Sequence, residues 1–411
     1  MDNKLGVYIH IPFCASKCGY CDFYSLAGRD NMMGKYENAV VAHIQESAGQ
    51  LSDYCIDTVY FGGGTPSYFG AGRICNIFNA LKKSGRVLKS AEVTVEVNPD
   101  SVNRRDLAML RRAGVNRLSM GAQSANAEIL KIIGRRHNWK QVEKAVSAAR
   151  SAGFDNLSLD LIYGLPSQTK GDWADTLTKA LALRPEHLSC YGLKLEENTP
   201  MYRYKDSPFL PDDDEQADMY LYTVETLERY DYPQYEISNF AIAGFESRHN
   251  MKYWRLDDYM GFGPGAHSCV KGVRYSFVRD LDRYINGVSR GETDILDEYE
   301  VVDKLDKATE YIMLGMRTTF GISAKEYKEI YRSEFESIEN TLISFERHGW
   351  TKFENDRWHF TSSGFLVSNT LIGELLEAQA EYKLRGNPWM METMDGDLPK
   401  IEIQSGGQIA Y

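Results

Sequence analysis

Three cysteines near the N-terminus, Cys14, Cys18 and Cys21, have the spacing of a metal-binding loop. They follow the apolar run Gly6–Ile11, which is typical of a short buried strand. A structural zinc site needs four ligands, and an iron–sulfur cube normally takes four cysteines. No fourth Cys or His stands at a paired spacing nearby. The loop therefore indicates an iron–sulfur cluster with one iron open to a small ligand, and a zinc or redox cysteine loop is the alternative.

Further polar and glycine residues stand where later strands are expected to end. The segment Phe61–Ser67 reads FGGGTPS, and its glycines allow a ligand to approach the backbone closely. Glu96, Gln123 and Asp160 each close an apolar run, and Arg135 follows a glycine. A carboxylate in such a place accepts hydrogen bonds from an ammonium group or a ribose. Each residue alone is typical of a surface or a cap, but their shared position at strand ends indicates one ligand site.

Apolar runs alternate with helical segments through the first half of the chain. The predicted strands are Gly6–Ile11, Asp57–Gly62, Glu92–Val97, Arg117–Gly121, Asn156–Ile162 and His187–Leu193. This alternation is typical of parallel strands joined by crossover helices. Six units are too few for a closed eightfold barrel. We predict an α/β fold in which residues 1–215 form a partial, open (β/α)6 TIM-like barrel with its chemistry at the carboxyl ends of the strands.

The pattern changes after the sixth strand. Residues 216–300 are expected to connect two domains and to carry two motifs rich in glycine, histidine and aromatic residues. Residues 301–385 are predicted to form a mostly helical, winged-helix-like domain with a hairpin of Thr351–Phe353 and Trp358–Thr361. Residues 386–411 are expected to be an irregular tail.

Composition excludes several classes of function. The chain has 411 residues, with 47 Lys and Arg against 58 Asp and Glu, and its net charge of −11 argues against a nucleic-acid partner. No apolar stretch approaches the roughly 18–20 residues of a transmembrane helix, and the N-terminus lacks a secretory signal. Seven cysteines, an odd number, favour a reducing compartment. We therefore expect a cytoplasmic protein without a transmembrane segment, and its oligomeric state stays open.

The N-terminal motif points to a family. The segment Tyr8–Cys21, YIHIPFCASKCGYC, resembles the opening of the radical S-adenosylmethionine (SAM) superfamily, in particular the branch of anaerobic coproporphyrinogen-III oxidases and their relatives. The resemblance extends from Gly6 to about Tyr382. It implies a [4Fe–4S] cluster on the three cysteines, with SAM chelating the fourth iron. The SAM neighbours that it implies are Tyr8, Tyr20, Gly63, Gly64, Thr65, Glu96, Gln123, Arg135 and Asp160.

Two features depart from the oxidases of that branch. Their cluster loop reads C-x3-C-x2-C-x-C, whereas Phe23 stands here at the fourth cysteine position. They also carry an N-terminal arm that helps to shape the substrate pocket, whereas only thirteen residues precede Cys14 in this sequence. Oxidative decarboxylation of coproporphyrinogen III is therefore an alternative function and not the first expectation.

A motif in the middle of the chain favours heme as the ligand. The segment His249–Trp254, HNMKYW, resembles the H-N-x-x-Y-W motif of the HemW heme chaperones, a sister group in the same branch. A neutral imidazole is a common axial ligand of heme iron, and Tyr253 and Trp254 offer flat faces to a porphyrin. The alternative is an aromatic core with a hydrogen-bonded histidine. His267, in GFGPGAHS, is the second candidate ligand because it lies near the expected SAM end of the barrel.

The two resemblances together imply a heme chaperone with a [4Fe–4S] cluster, SAM and heme. Its partners would be acceptor hemoproteins, respiratory ones and bacterioferritin among them. The enzymatic alternatives are the oxidase reaction and another radical SAM reaction on heme, such as methyl transfer with ring opening. A zinc-loop interaction protein is the alternative that is neither an enzyme nor a heme protein.

Overall fold

Alternating strands and helices build most of the chain, whose computed structural model describes residues 3–291, 295–384, 402–404 and 408–410. The strands are β1 (Lys4–Ile11), β2 (Phe13–Cys14), β3 (Leu26–Ala27), β4 (Cys55–Gly63), β5 (Arg86–Val97), β6 (Arg117–Gln123), β7 (Leu157–Tyr163), β8 (His187–Gly192), β9 (Asn239–Ala241), β10 (Tyr259–Phe262), β11 (His267–Val270), β12 (Val273–Phe277), β13 (Leu296–Val301), β14 (Thr351–Glu354), β15 (Arg357–Phe360), β16 (Glu402–Gln404) and β17 (Gln408–Ala410).

The helices follow the same order along the chain. They are α1 (Met33–Glu46), α2 (Ala48–Ser52), α3 (Pro66–Phe69), α4 (Ala71–Ser84), α5 (Arg104–Ala113), α6 (Ala127–Ile132), α7 (Trp139–Ser151), α8 (Lys170–Ala182), α9 (Asp213–Arg229), α10 (Arg248–Trp254), α11 (Leu281–Arg290), α12 (Lys304–Gly315), α13 (Ala324–Tyr331), α14 (Glu336–Arg347), α15 (Ser362–Leu366) and α16 (Ser368–Leu384). None of the helices in the described part of the chain has the length and apolar character needed to cross a membrane.

One large mixed sheet organises the fold. Its strand order is β13-β12-β11-β10-β1-β4-β5-β6-β7-β8-β9. The strands from β10 to β8 in this order run parallel, whereas β9, β11, β12 and β13 are added antiparallel to their neighbours. No pairing between the outer strands β13 and β9 closes the sheet within the described ranges. The predicted open α/β barrel of six parallel strands is therefore confirmed, and further strands extend it.

The segment 216–300 differs from the expected connection because it supplies four whole strands, β9 to β12, and most of β13 to the same sheet. Strand β10 lies beside β1 as a seventh parallel strand, and β9 pairs with β8 at the other end. These strands have three to five residues, which is too short for a clear period-two pattern. Strand β5 also begins at Arg86, six residues before the predicted start. The domain boundaries at 215, 300 and 385 stay a prediction.

Local signals set the helices that flank the barrel. The Asn103 side chain caps α5 by accepting a hydrogen bond from the Asp106 N–H at 3.0 Å. Gly114 ends the same helix with a left-handed φ of 112°. In α7 the predicted apolar stripe of Val142, Ala145, Val146 and Ala149 is buried. These caps and stripes fix the strand–helix crossovers that bring the strand ends together.

The C-terminal part is mostly helical and has an apolar core of its own, which includes Ile312, Tyr327, Phe335, Leu342 and Trp358. The predicted hairpin is present, with Thr351 of β14 opposite Phe360 of β15. After the hairpin, the chain forms two consecutive helices, α15 and α16. The predicted irregular tail lies outside the described residues apart from the short hairpin of β16 and β17.

Candidate functional site

A cavity of about 590 Å³ opens at the carboxyl ends of the parallel strands, and we call this region the mouth of the barrel. Most of the site residues predicted from the sequence line it: Cys14, Cys18, Tyr20, Cys21, Gly63, Gly64, Thr65, Glu96, Gln123, Arg135 and Asp160. They come from the loop after β1, from the carboxyl-terminal parts of β4, β5, β6 and β7 and the turn after β4, and, for Arg135, from the turn after α6. Because these strands are parallel, their ends meet at one edge, and residues far apart in the sequence share one wall.

The cysteine loop is tied to the glycine loop after β4. The short strands β2 and β3 pair at the two ends of the cysteine loop. The Cys14 Sγ lies 3.3 Å from the Thr65 Oγ1, and the Arg135 guanidinium donates to the Cys18 Sγ at 3.7 Å. Burial raises the pKa of the Cys14 and Cys21 thiols. All three thiols are free of disulfides, so they are available as metal ligands.

The three thiols do not converge on one point. Within the described part of the chain, no three His, Cys, Asp or Glu side chains stand close enough to hold a single metal ion. In a [4Fe–4S] cube the thiolates bind different irons, which requires wider separation than ligation of one zinc ion. The donor set of three cysteines in one short loop, all lining one cavity, fits a cube with one open iron.

The glycine loop owes its composition to close packing. Gly63 has a φ of 110°, and a Cβ there would lie 2.5 Å from the His10 Cε1. A Cβ on Gly64 would lie 2.8 Å from the carbonyl oxygens of Ile11 and Phe13. The backbone N–H of Gly64 donates to Ile11 O at 2.7 Å. Only glycine lets this loop pack against the end of β1 and Phe13, which lead into the cysteine loop, so the two loops form a single wall.

Two polar side chains near the strand ends line the cavity, one with hydrogen-bond partners and one with an acceptor oxygen that has none. Glu96 accepts hydrogen bonds from the Tyr60 hydroxyl at 2.9 Å and from the Gly63 N–H at 3.1 Å. Burial raises the pKa of Glu96 to about 7. Gln123 has a left-handed φ of 63°, and its buried Oε1 has no hydrogen-bond partner among the described residues. Strained backbone and an orphan acceptor are features of ligand sites, and an ammonium or hydroxyl group would satisfy this oxygen.

A hydrogen-bond chain that the sequence did not predict joins Arg135 to the cysteine loop. Arg135 donates to Gly121 O at 2.6 Å and to the Asn98 Oδ1 at 2.8 Å. Asn98 in turn donates to the Thr65 Oγ1 at 3.3 Å, and that hydroxyl contacts Cys14. Asn98 directly follows β5, so its position at a strand end was a signal that could have identified it.

Tyr8 takes a different place from the other predicted SAM neighbours. Its hydroxyl contacts the His10 Nδ1 at 3.1 Å, and its ring stacks against Tyr60 and His249 inside the barrel. It supports Tyr60, which itself lines the cavity and holds Glu96. Tyr8 therefore acts on the site indirectly, by packing against Tyr60, which lines the cavity.

The H-N-x-x-Y-W motif forms α10, which packs against β4 inside the barrel. His249 is 1% exposed. Its Nδ1 lies 2.8 Å from the Thr58 Oγ1, and its Nε2 lies 2.8 Å from the Tyr253 hydroxyl. Burial lowers the pKa of His249 to about 3, so the ring is neutral. Trp254 is half-buried at the end of the helix.

This geometry differs from the open ligand that the sequence suggested, because both nitrogens of His249 are engaged and Tyr253 faces the imidazole edge-on. His249 as a heme ligand stays a prediction, and it requires release of the ring from both partners. His267 is exposed and begins β11, next to the end of β10. It therefore lies at the mouth end of the sheet, as expected.

Comparison with known proteins places this geometry in a class. The profile of the radical SAM superfamily matches residues 8–180, and that of the HemN C-terminal domain matches residues 302–367. The solved structure of the coproporphyrinogen III oxidase HemN from Escherichia coli, described as a radical SAM enzyme, superposes with a TM-score of 0.80 at 22% identity, covering 91% of this chain and 90% of that one. The chain is thus a radical SAM protein, a class that implies SAM and a [4Fe–4S] cluster.

The more similar relatives narrow this class. The heme chaperone HemW of Bacillus subtilis is 35% identical over 376 residues, which are 90% of this chain and 98% of the relative. The heme chaperone HemW of Escherichia coli is 32% identical over 370 residues, 90% and 97% of the two chains. The chain belongs to the HemW family.

Proposed function

We propose that this protein is a cytoplasmic heme chaperone that binds heme and passes it to acceptor hemoproteins, respiratory ones and bacterioferritin among them. The observation that carries this proposal is the 35% identity, over 90% of the chain, to a relative named as a heme chaperone. Phe23 adds a local argument. It is 69% exposed at the wall of the mouth, where it offers an apolar face and no fourth thiolate.

The residues of the mouth would hold the cluster and SAM. Cys14, Cys18 and Cys21 would each ligate one iron, and SAM on the open iron supplies one-electron chemistry when both are bound. The Gln123 Oε1 would accept a hydrogen bond from SAM, because it has no other partner in the described structure. Glu96 would accept a second one in its ionised form. The glycine loop would let SAM lie against backbone.

Anaerobic reconstitution followed by hemin titration tests the proposal. We expect a shift of the Soret band that saturates at about one equivalent of hemin, and faster delivery of heme to an apo-hemoprotein than free hemin gives. His249→Ala and His267→Ala, titrated in parallel, identify the axial ligand by loss of the shift. Absence of hemin binding in the reconstituted protein would contradict the chaperone proposal.

The same sample tests the enzymatic alternative, for which the fold shared with HemN is the specific observation. Coproporphyrinogen III, reductant and SAM are added under anaerobic conditions, and products are resolved by mass. We expect the substrate to be recovered unchanged. Formation of protoporphyrinogen would replace the chaperone proposal by the oxidase, and a methylated or ring-opened heme would replace it by another radical SAM reaction.

A further inference from the structure

We propose that Arg117 and Asn250, at the inner end of the mouth cavity, bind a carboxylate of the cargo, namely a propionate of heme. This inference rests on the proposed function and adds a recognition site to it. Neither residue is among those predicted from the sequence, and both line the same cavity.

Arg117 is a buried cation without a polar partner. It is 1% exposed and begins β6, opposite Thr94 of β5. Its buried Nε has no hydrogen-bond partner, and the guanidinium group makes no hydrogen bond or ion pair with the residues that the structure describes. An arginine cannot lose its charge in a protein, and an unpaired buried charge costs several kcal/mol. A buried guanidinium group without a partner at the wall of a cavity would therefore be stabilised by binding an anion.

The carboxylates of Glu96 and Asp160, which line the same cavity, are committed to other donors. Glu96 is bonded to the Tyr60 hydroxyl and the Gly63 N–H. Asp160 accepts from the Ser119 hydroxyl at 3.0 Å and from the Ser158 hydroxyl at 3.1 Å. Neither carboxylate forms a hydrogen bond or an ion pair with Arg117, so the forked N–H donors of its guanidinium group are unoccupied. That fork matches a carboxylate in a bidentate geometry.

Asn250 supplies a second donor from the H-N-x-x-Y-W motif. Its backbone N–H is capped by the Ser247 Oγ at 3.4 Å, but its carboxamide makes no hydrogen bond among the described residues. The side chain lines the cavity, whereas its neighbour His249 is engaged at both nitrogens. In this arrangement His249 anchors α10, and Asn250 presents an amide to the ligand.

The position of the pair favours a propionate over the carboxylate of SAM. Arg117 precedes Gln123 by six residues on β6, which is about 20 Å along a strand. SAM bound to the open iron would place its carboxylate next to the cysteine loop, away from Arg117 along the cavity wall. A propionate is a flexible arm on a flat apolar ring. Phe23, 69% exposed, and Tyr191, 40% exposed, line the same cavity and offer faces for such a ring.

Titration with hemin and with hemin dimethyl ester, whose propionates are blocked, tests the inference on the full reconstituted chain. We expect the wild-type protein to bind hemin about tenfold more tightly than the ester, which is the size of one charge-assisted pair. Arg117→Gln and Asn250→Asp should each remove this preference by weakening hemin alone. Asn250→Asp tests the site even if Arg117→Gln fails to fold, because Asn250 is half-buried and its side chain has no partner in the described structure. Arg279→Gln changes an exposed arginine of the same cavity and should keep the preference.

Equal affinity of the wild-type protein for hemin and its ester would overturn the inference. So would variants of Arg117 or Asn250 that weaken both ligands equally, or that weaken SAM binding in equilibrium dialysis while hemin is unaffected, since the anion would then be that of SAM. Failure of the wild-type protein to bind either porphyrin is a separate result that contradicts the proposed function itself.

Discussion

The cavity and the end of the barrel covered by α10 both contain buried polar side chains, but these differ in whether they have hydrogen-bond or ion-pair partners. Along the cavity, Gln123 at the mouth leaves a buried acceptor without a partner, and Arg117 at the inner end leaves a buried cation without one, among the described residues. At the end closed by α10, His249 is bonded at both nitrogens, and Lys252 lies 2.9 Å from the Asp57 carboxylate, with both side chains less than 10% exposed. Burial is common to both ends, so burial alone does not mark a ligand site. A buried polar atom that both lacks a partner and belongs to a residue of the cavity wall is the stronger sign of one.

This difference separates polar groups that are available to bind a ligand from polar groups that stabilise the fold. Changes to the cysteines should therefore alter binding and leave stability nearly intact, whereas changes to groups that are packed or paired within the fold, at either end, should alter stability. Those around α10 should also leave the cluster in place. The following predictions test this division, and they run from the largest expected effect to the smallest.

Replacement of a cysteine in the loop should have the largest effect. Cys18→Ser removes one of three thiolates, and we expect the protein to lose nearly all of its reconstituted iron and acid-labile sulfide. The free energy of unfolding of the apo protein should change by less than about 0.5 kcal/mol, because Cys18 is only half-buried. Iron and sulfide analysis measures the first effect, and urea unfolding measures the second.

His249→Gln is the matched control for the cysteine variant. It should keep the full iron content, because α10 contributes no predicted cluster ligand. If Cys18→Ser retained its cluster, or if His249→Gln lost it, the division between the two ends of the barrel would be wrong.

Removal of the buried cation Lys252 should cost the most stability. The change Lys252→Met leaves the Asp57 carboxylate buried without the partner that lies 2.9 Å away, since Arg248 approaches it only to 3.8 Å. We expect a loss of about 3 kcal/mol in urea unfolding. The double change Lys252→Met with Asp57→Leu should recover most of that loss. A double variant as unstable as the single one would mean that packing, and not the unpaired charge, sets the cost.

Much of the fold was predictable because its signals are local. The six predicted strands are runs of apolar and β-branched residues bounded by turns, and each of them overlaps a strand of the structure. The caps of α5 at Asn103 and Gly114 were visible for the same reason. The strands from β9 to β12 were missed because three to five residues carry no period, and their pairing with β8 and β1 is a long-range property of the sheet.

The candidate site was predictable where polar residues lie near the carboxyl ends of predicted strands. Parallel topology brings strand ends together, so Glu96, Gln123 and Asp160 could be grouped without coordinates. Arg117 begins a strand, and Asn250 lies on a helix. No pattern in the sequence places these two residues in one cavity, because that depends on how α10 enters the barrel.

A glycine of the mouth gives the next largest effect. Gly63→Ala forces a Cβ to within 2.5 Å of the His10 ring at a φ of 110°, and we expect it to destabilise the protein by about 2–3 kcal/mol. Gly72→Ala in α4 is the control, since no atom lies within 4 Å of its added Cβ. It should stabilise the helix by about 0.5–1 kcal/mol. Thermal unfolding of both variants checks the sign, and a neutral Gly63→Ala would show that the loop can move away from β1.

We expect the smallest effect from replacing two buried glutamates, Glu96, which lines the cavity, and Glu236, which does not. Burial raises the pKa of both Glu96 and Glu236 from 4.5 to about 7. Between these values the folded state holds a proton that the unfolded state has released, so each glutamate makes stability fall as the pH rises from about 4.5 to 7. Glu236 is 1% exposed and bridges to the C-terminal part opposite Thr318.

Replacing either glutamate by glutamine should remove its share of that fall, on the order of 1–2 kcal/mol in urea unfolding between pH 5 and pH 8. Glu236→Gln should leave SAM binding unchanged, because Glu236 does not line the cavity. Glu96→Gln should weaken SAM binding above pH 7, where the wild-type side chain is ionised and accepts hydrogen bonds with both oxygens. Equal SAM affinities for the two variants in equilibrium dialysis at pH 8 would remove Glu96 from the site and leave it, like Glu236, a buried residue of the fold.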